Sequence, residues 1–227
     1  MKLVLYSGGQ QKSNHRLHRA LVSLARKNRK KERKNKPLKL TYLPFCGDDS
    51  EIFFRRIMRR YRSHGVKQFF CLALDQPHAR EEIAEALSSD IIYLAGGNTF
   101  YFLKHLRETG MLKKLSEFAK QGGVLAGLSA GALIMSPTVK LAADKGLGPD
   151  ENEVGVRNFK GMGLFRFEFS PHFEPTRRQI EAHLAYSKKT EHPVYAVEDG
   201  GGIVIDGKSL SLFGRGRIFR RGKVHSD

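Results

Sequence analysis

A regular alternation of short apolar runs with amphipathic stretches constrains this chain more than any other feature. Segments 2–6, 38–44, 68–74, 90–95 and 124–128 are apolar and of strand length. Between them, helical spacing such as that of Leu17, Leu21 and Leu24 predicts helices over 13–34, 51–63, 79–87, 100–107 and 111–120. Asp49-Ser50 caps the second of these. A strand–helix–strand rhythm places parallel strands side by side with helices on both faces. The expected fold class is therefore α/β, a mainly parallel sheet flanked by helices. After about residue 160 the rhythm changes to short strands at 165–169, 194–197, 202–205 and 209–213 around a helix at 177–186. No repeat and no long linker interrupts the chain, so residues 1–227 read as one domain. A basic cluster from Arg215 to Lys223 follows the Asp206-Gly207 turn and is expected to form a terminal hairpin.

Residues 121–139 carry no charge, yet they hold four glycines and Pro137, which suits a buried strand running into a buried helix better than a membrane span. The first apolar run ends at Gly8-Gly9, too soon for a signal peptide, and the expected location is the cytoplasm without membrane contact. Two cysteines, Cys46 and Cys71, cannot staple a fold and lie in no metal-ligand spacing, so both read as buried, reduced thiols. Forty Lys and Arg against 23 Asp and Glu give a formal charge of +17. The 40% hydrophobic content excludes a disordered or histone-like basic arm. Residues 26–39 hold nine of the basic residues and one acid. This run reads as a solvated helix end and loop, with contact to nucleic acid or an acidic surface as the second reading.

In parallel sheets, ligands bind beyond the carboxyl ends of the strands. Two glycine-bearing loops fall there, Gly96-Gly97-Asn98-Thr99 and Gly127-Leu128-Ser129-Ala130-Gly131. The second is a G-x-S-x-G turn between an apolar strand and an apolar helix. Small neighbours permit a sharp bend that exposes the Ser129 hydroxyl, and the helix that follows aims N–H dipoles at an oxyanion. A serine nucleophile needs a histidine base. His15, His18, His64, His78, His105, His183 and His225 read as surface residues, and His192 stands at a strand entrance. His172 closes an apolar strand on a Pro171-His172-Phe173 loop and is the preferred base.

Taken together, 95–100 (Ala-Gly-Gly-Asn-Thr-Phe), Gly127-Leu128-Ser129-Ala130-Gly131-Ala132 with Pro137-Thr138, and Pro171-His172-Phe173 resemble the serine peptidases of the aspartyl dipeptidase and cyanophycinase family. The order and spacing match from roughly 90 to 205. The resemblance implies a glutamine-amidotransferase-like three-layer sandwich, no cofactor and no metal. It implies Ser129 as nucleophile, His172 as general base, and the Gly97 and Ala130 N–H groups as oxyanion hole. Asp199, beside Glu198, is the favoured third member, with Asp144 retained as a site residue. Asn98 is expected to touch substrate.

The departures fall on the substrate side. Leu133 stands where the dipeptidases have asparagine, and Leu141-Ala142-Ala143-Asp144 replaces a Thr-Thr-Asn-Asp stretch. Arg177 and Arg178 read either as the solvated start of a helix or as partners for a substrate carboxylate, the role in which they are carried as candidate substrate-binding residues. The implied activity is hydrolysis of small peptides, with a preference for N-terminal aspartate as the finer expectation. The expected partner is a small peptide, with a homodimer possible and nucleic acid possible but not favoured. The rival reading is a basic binding protein on an inactive hydrolase scaffold. A glutamine amidotransferase fits poorly, because that chemistry places cysteine at the elbow.

Overall fold

The computed structural model describes residues 1–8, 12–29, 35–45, 50–148 and 150–225. Its strands are β1 (Lys2–Tyr6), β2 (Leu38–Leu43), β3 (Val66–Cys71), β4 (Ile91–Leu94), β5 (Val124–Leu128), β6 (Glu168–Ser170), β7 (Val194–Val197), β8 (Gly202–Asp206), β9 (Ser209–Phe213), β10 (Gly216–Arg220) and β11 (Lys223–His225). The main sheet runs β3-β2-β4-β5-β1-β8-β9. Its first five strands are parallel and its last two antiparallel. Alternate side chains of each strand enter opposite cores: Leu3 and Leu5 face one, Val4 and Tyr6 the other.

Helices close both faces. α1 (His15–Asn28) and α2 (Ser50–Arg62) cover the Val4 side through Leu17, Leu21, Ile57 and Tyr61. α3 (Arg80–Leu87), α4 (Thr99–Glu108), α5 (Met111–Lys120) and α6 (Ala130–Met135) cover the Leu3 side through Ala86, Phe102, Leu115 and Ile134. The result is the expected three-layer α/β sandwich. The uncharged stretch at 121–139 is β5 running into α6. Among the described residues no helix is long and apolar enough to cross a membrane.

The late short strands divide in a way their sequence does not announce. β8 and β9 extend the main sheet, whereas β11-β10-β7-β6 form a second sheet. In that sheet β10 and β11 make the predicted basic hairpin, and α7 (Arg177–Ser187) packs against β10. The strand expected over 165–169 is instead Glu168–Ser170; residues 165–167 bend ahead of it, and the rings of Phe165 and Phe167 stack there at 4.3 Å. α1 ends at Asn28; Arg29 turns extended and meets Asp90 at 3.3 Å. The predicted continuation through 30–34, Asp49 of the cap, and Cys46 lie outside the described residues. Cys71 is half-buried, and burial pushes its thiol up to about 11, which keeps it protonated.

Two histidines read as surface residues are instead buried, His18 and His183. Helical position alone does not show which neighbours a side chain will meet. His18 lies against β1 and α2, with Nδ1 at 3.2 Å from the Tyr6 hydroxyl and 3.1 Å from that of Tyr61. Burial, then the nearby Arg60, lowers its pKa from 6.5 to about 3. The folded state keeps His18 neutral while the unfolded chain takes the proton. Stability present above pH 6.5 is therefore lost as the pH falls toward 3, by about 1.4 kcal/mol for each unit. Urea unfolding should lose roughly 2 kcal/mol between pH 7 and pH 5 from this group. His18→Gln should flatten that slope, and an unchanged slope would refute the assignment.

Candidate active site

The elbow is shaped by close backbone packing. Ser129 sits at φ 49° and ψ −110°, directly between β5 and α6. Its N–H donates to the Tyr6 carbonyl at 2.9 Å, and the Gly131 N–H donates to the Ala95 carbonyl at 3.1 Å. The turn is thus pinned to the strands on both sides of β5. A Cβ at Gly127 would lie 2.5 Å from the Gly131 backbone, and one at Gly131 would lie 2.7 Å from the Ala95 oxygen. Both positions require glycine for lack of space.

His172 follows β6 in the left-handed region, at φ 55°. Its Nε2 is 2.8 Å from Ser129 Oγ, and its Nδ1 is 2.7 Å from Asp199 Oδ1. The strand behind it is fixed by buried polar contacts. Tyr186 donates to Glu168 at 2.6 Å, and Ser170 Oγ lies 2.9 Å from His183 Nε2. Asp199 stands beyond β7 with its carboxylate against Gly8, where a Cβ would meet all three carboxylate atoms within 2.7 Å.

Ser7 ties these parts together. This fully buried hydroxyl accepts the His172 backbone N–H at 2.7 Å and lies 2.8 Å from the Val197 carbonyl and 3.1 Å from Asp199 Oδ1. Nothing in the local sequence marks Ser7 or Gly8 as part of a site. The available signal was their place at the carboxyl end of the central strand β1, where parallel sheets collect ligand-facing residues.

The acidic candidates separate cleanly. Asp199 faces His172, whereas Glu198 turns to Arg215 at 2.9 Å. Asp144 has its carboxylate on the Gly146 N–H at 3.0 Å and its carbonyl on the Leu147 and Gly148 N–H groups. It therefore shapes the turn at 144–148, part of the cleft wall, and makes no contact with His172.

The cleft at the Ser129–His172 pair encloses about 940 Å³ and includes Gly97, Leu133, Leu141 and Ala142 in its lining. The departures noted in the sequence thus do face the cleft. Gly97 adopts φ 134°, with the Phe45 ring packed where a side chain would go. Asn98 points elsewhere. Its Oδ1 caps α4 by accepting from Phe100 and Tyr101 N–H at 3.0 Å, and its Nδ2 donates to the Glu151 carbonyl at 2.9 Å. It lines a separate recess with Phe45 and Tyr101, and both ends of its amide are engaged in capping α4 and holding the Glu151 carbonyl. The two arginines also part. Arg178 lines the cleft, while Arg177 is 93% exposed and bound to Glu181 at 2.7 Å on the surface of α7. Among the described residues no group of three or more His, Cys, Asp or Glu converges as metal ligands.

The family model for peptidase family S51 matches residues 3–213. The uncharacterized peptidase Lmo0363 of Listeria monocytogenes is 27% identical over 179 residues, covering 75% of this chain and 83% of its own. Peptidase E of Salmonella arizonae is 38% identical over 101 residues, which span 44% of this chain and 41% of that protein. A crystal structure from Listeria monocytogenes assigned as a peptidase E superposes with a TM-score of 0.67 at 23% identity, covering 93% of this chain and 96% of that one. That likeness shows the shared fold. With a family match across nearly the whole chain, this protein belongs to peptidase family S51 and is a serine-type peptidase.

Proposed function

We propose that the protein hydrolyses dipeptides and similarly short peptides through a Ser129–His172–Asp199 triad and an acyl-enzyme. The observation that carries this reading is the unbroken chain of contacts from Ser129 Oγ through the imidazole to Asp199, at 2.8 and 2.7 Å. Asp199 accepts from Nδ1–H and so fixes the tautomer that leaves Nε2 free as a base. His172 takes the Ser129 proton as Oγ attacks the peptide carbonyl, then passes it to the leaving amine. Water repeats the sequence on the ester and releases the acid. Ser129 and Gly131 donate their N–H groups to neighbouring strands, which leaves the Ala130 N–H of the elbow to face the oxyanion with that of Gly97. Losing one such donor costs on the order of a hundredfold in rate.

The cleft walls support a short, charged substrate. Asp150 and Glu174 offer negative charge, and Lys145 and Arg178 positive charge, within one cavity. Amino and carboxyl groups of a dipeptide can both find partners there. Arg178 is the residue for a substrate carboxylate, including an N-terminal aspartate side chain. Leu133 replaces an amide at the same wall, so the aspartate preference is expected to be modest. Hydrolysis of a panel of Asp-X, Glu-X, Gly-X and Ala-X dipeptides tests the reading. Turnover of free dipeptides that disappears in Ser129→Ala, and weakens when the peptide ends are blocked, supports it. Equal turnover of long blocked peptides would refute it. The vestigial-scaffold reading is disfavoured by the same contacts, since an idle elbow has no need of an aligned histidine and carboxylate.

A further inference from the structure

The charge of this protein is distributed by layer. α1 and α2, adjacent on one face of the main sheet, carry nine Arg and Lys against the single acid Glu51. The helices of the opposite face, α3, α4 and α5, carry six against five acids. About half of the net +17 therefore sits on two helices, most of it outside the basic run at 26–39. α1 and α2 touch below the surface through His18 and Tyr61, whose rings lie 5.3 Å apart, and nearer the surface His15 of α1 meets His64, just past α2, at 4.9 Å, so the two basic surfaces adjoin. Within α2, Arg55, Arg56, Arg59 and Arg62 are exposed and stand three or four residues apart, where like charges repel. Glu51 pairs with Arg55 at 2.6 Å and offsets one of these charges, which leaves a surplus on the helix that a bound anion would relieve.

We propose that this layer binds single-stranded nucleic acid through its phosphates. Three observations select that partner. At one end of the patch a recess of about 650 Å³ is lined by Arg26, Lys36 and Lys67, three cations that can each meet a phosphate. On α2, the Arg56 guanidinium lies over Phe53 at 5.4 Å and that of Arg62 over Phe69 at 5.7 Å. Phe53 is 42% exposed and presents a face on which an unpaired base can stack. Both helices lie flat on the sheet, with Ile57 and Tyr61 of α2 buried, so neither projects into a duplex groove, and the exposed apolar residues of α2, Ile52 and Phe53, stand together in its first turn and not along a face that could lie on a lipid surface. The residues of the patch are separate from those lining the peptidase cleft.

Fluorescence anisotropy with a labelled 20-nucleotide oligouridylate between 50 and 200 mM salt tests this. Affinity should fall linearly on logarithmic axes, with a slope of roughly −3 if about four phosphates are neutralised. The triple variant Arg55→Gln, Arg56→Gln, Arg59→Gln should bind at least tenfold more weakly, with a slope shallower by about 2. A matched variant of the opposite layer, Lys104→Gln, Lys113→Gln, Lys114→Gln, loses the same net charge and should bind like the parent. Ser129→Ala should also bind like the parent, which separates this activity from the peptidase reading. Both triple variants should retain dipeptide hydrolysis, which reports an intact fold. Equal losses in the two layers would reduce the effect to net charge and overturn the proposal. So would no binding at 50 mM salt, tighter binding of a duplex of equal length, or capture by phosphatidylserine vesicles in place of the oligonucleotide.

Discussion

Asp199→Asn should lower kcat/KM for a dipeptide by roughly 10³–10⁴-fold, with KM little changed. The carboxylate lies 2.7 Å from His172 Nδ1, where only an acceptor can hold the proton on that nitrogen. An amide can rotate its NH₂ toward Nδ1, which moves the imidazole proton to Nε2 and leaves Ser129 facing a donor in place of a base. The loss therefore falls on kcat, because binding does not depend on the tautomer. Two neighbouring acids provide the contrast. Glu198→Gln breaks only the contact with Arg215, and Asp144→Asn alters the turn at 144–148 without touching the imidazole. Glu198→Gln should stay within a few-fold of the parent, and the Asp144 variant should change KM more than kcat. Steady-state kinetics of the three variants decides the point. A collapse of kcat in either control with little effect at Asp199 would move the third member of the triad elsewhere.

Gly127→Ala should damage both stability and catalysis. The new methyl would lie 2.5 Å from the Gly131 carbonyl carbon and oxygen and 2.6 Å from the Ala132 nitrogen. All three are backbone atoms at the start of α6, so no flexible side chain can yield. Overpacking of this kind costs about 1–3 kcal/mol, or roughly 2–12 °C in Tm for a chain of this size. Relief requires α6 to move away from β5, and Ser129 moves with it. A displacement of about 1 Å at the nucleophile costs on the order of a hundredfold in rate. Thermal melting and kcat measured on the same preparation check this. Full activity at the parental Tm would show that the elbow is not held by this contact.

The parts of the fold that can be read in the sequence are those with local causes. The five parallel strands and their covering helices follow from apolar runs and helical spacing, which act over a few residues. The division of the late strands between two sheets depends on which distant strand supplies a hydrogen-bonding edge, and short strands such as Glu168–Ser170 carry little pattern of their own. The same distinction holds at the site. Ser129 is legible because its turn needs small residues at fixed offsets, and His172 because it closes an apolar strand beside a proline. Ser7 is not legible: a single serine after a strand has no signature until the chain ends of β1, β6 and β7 are brought together around it. The capping role of Asn98 is not legible for the related reason that one amide can cap a helix or bind a ligand, and the capping contacts show only once Phe100 and Tyr101 are placed. The burial of His18 is not legible either, because the tyrosines that enclose it lie 12 and 43 residues away along the chain.

The central claim is that Ser129 is an activated nucleophile, and covalent trapping tests it most directly. A fluorophosphonate probe should add one adduct per chain, observed by intact mass and mapped by peptide sequencing to Ser129. Ser129→Ala should take no adduct, and Asp199→Asn should label far more slowly than the parent. Absence of labelling in the parent, equal labelling of Ser129→Ala, or an adduct mapped to another serine would contradict the account.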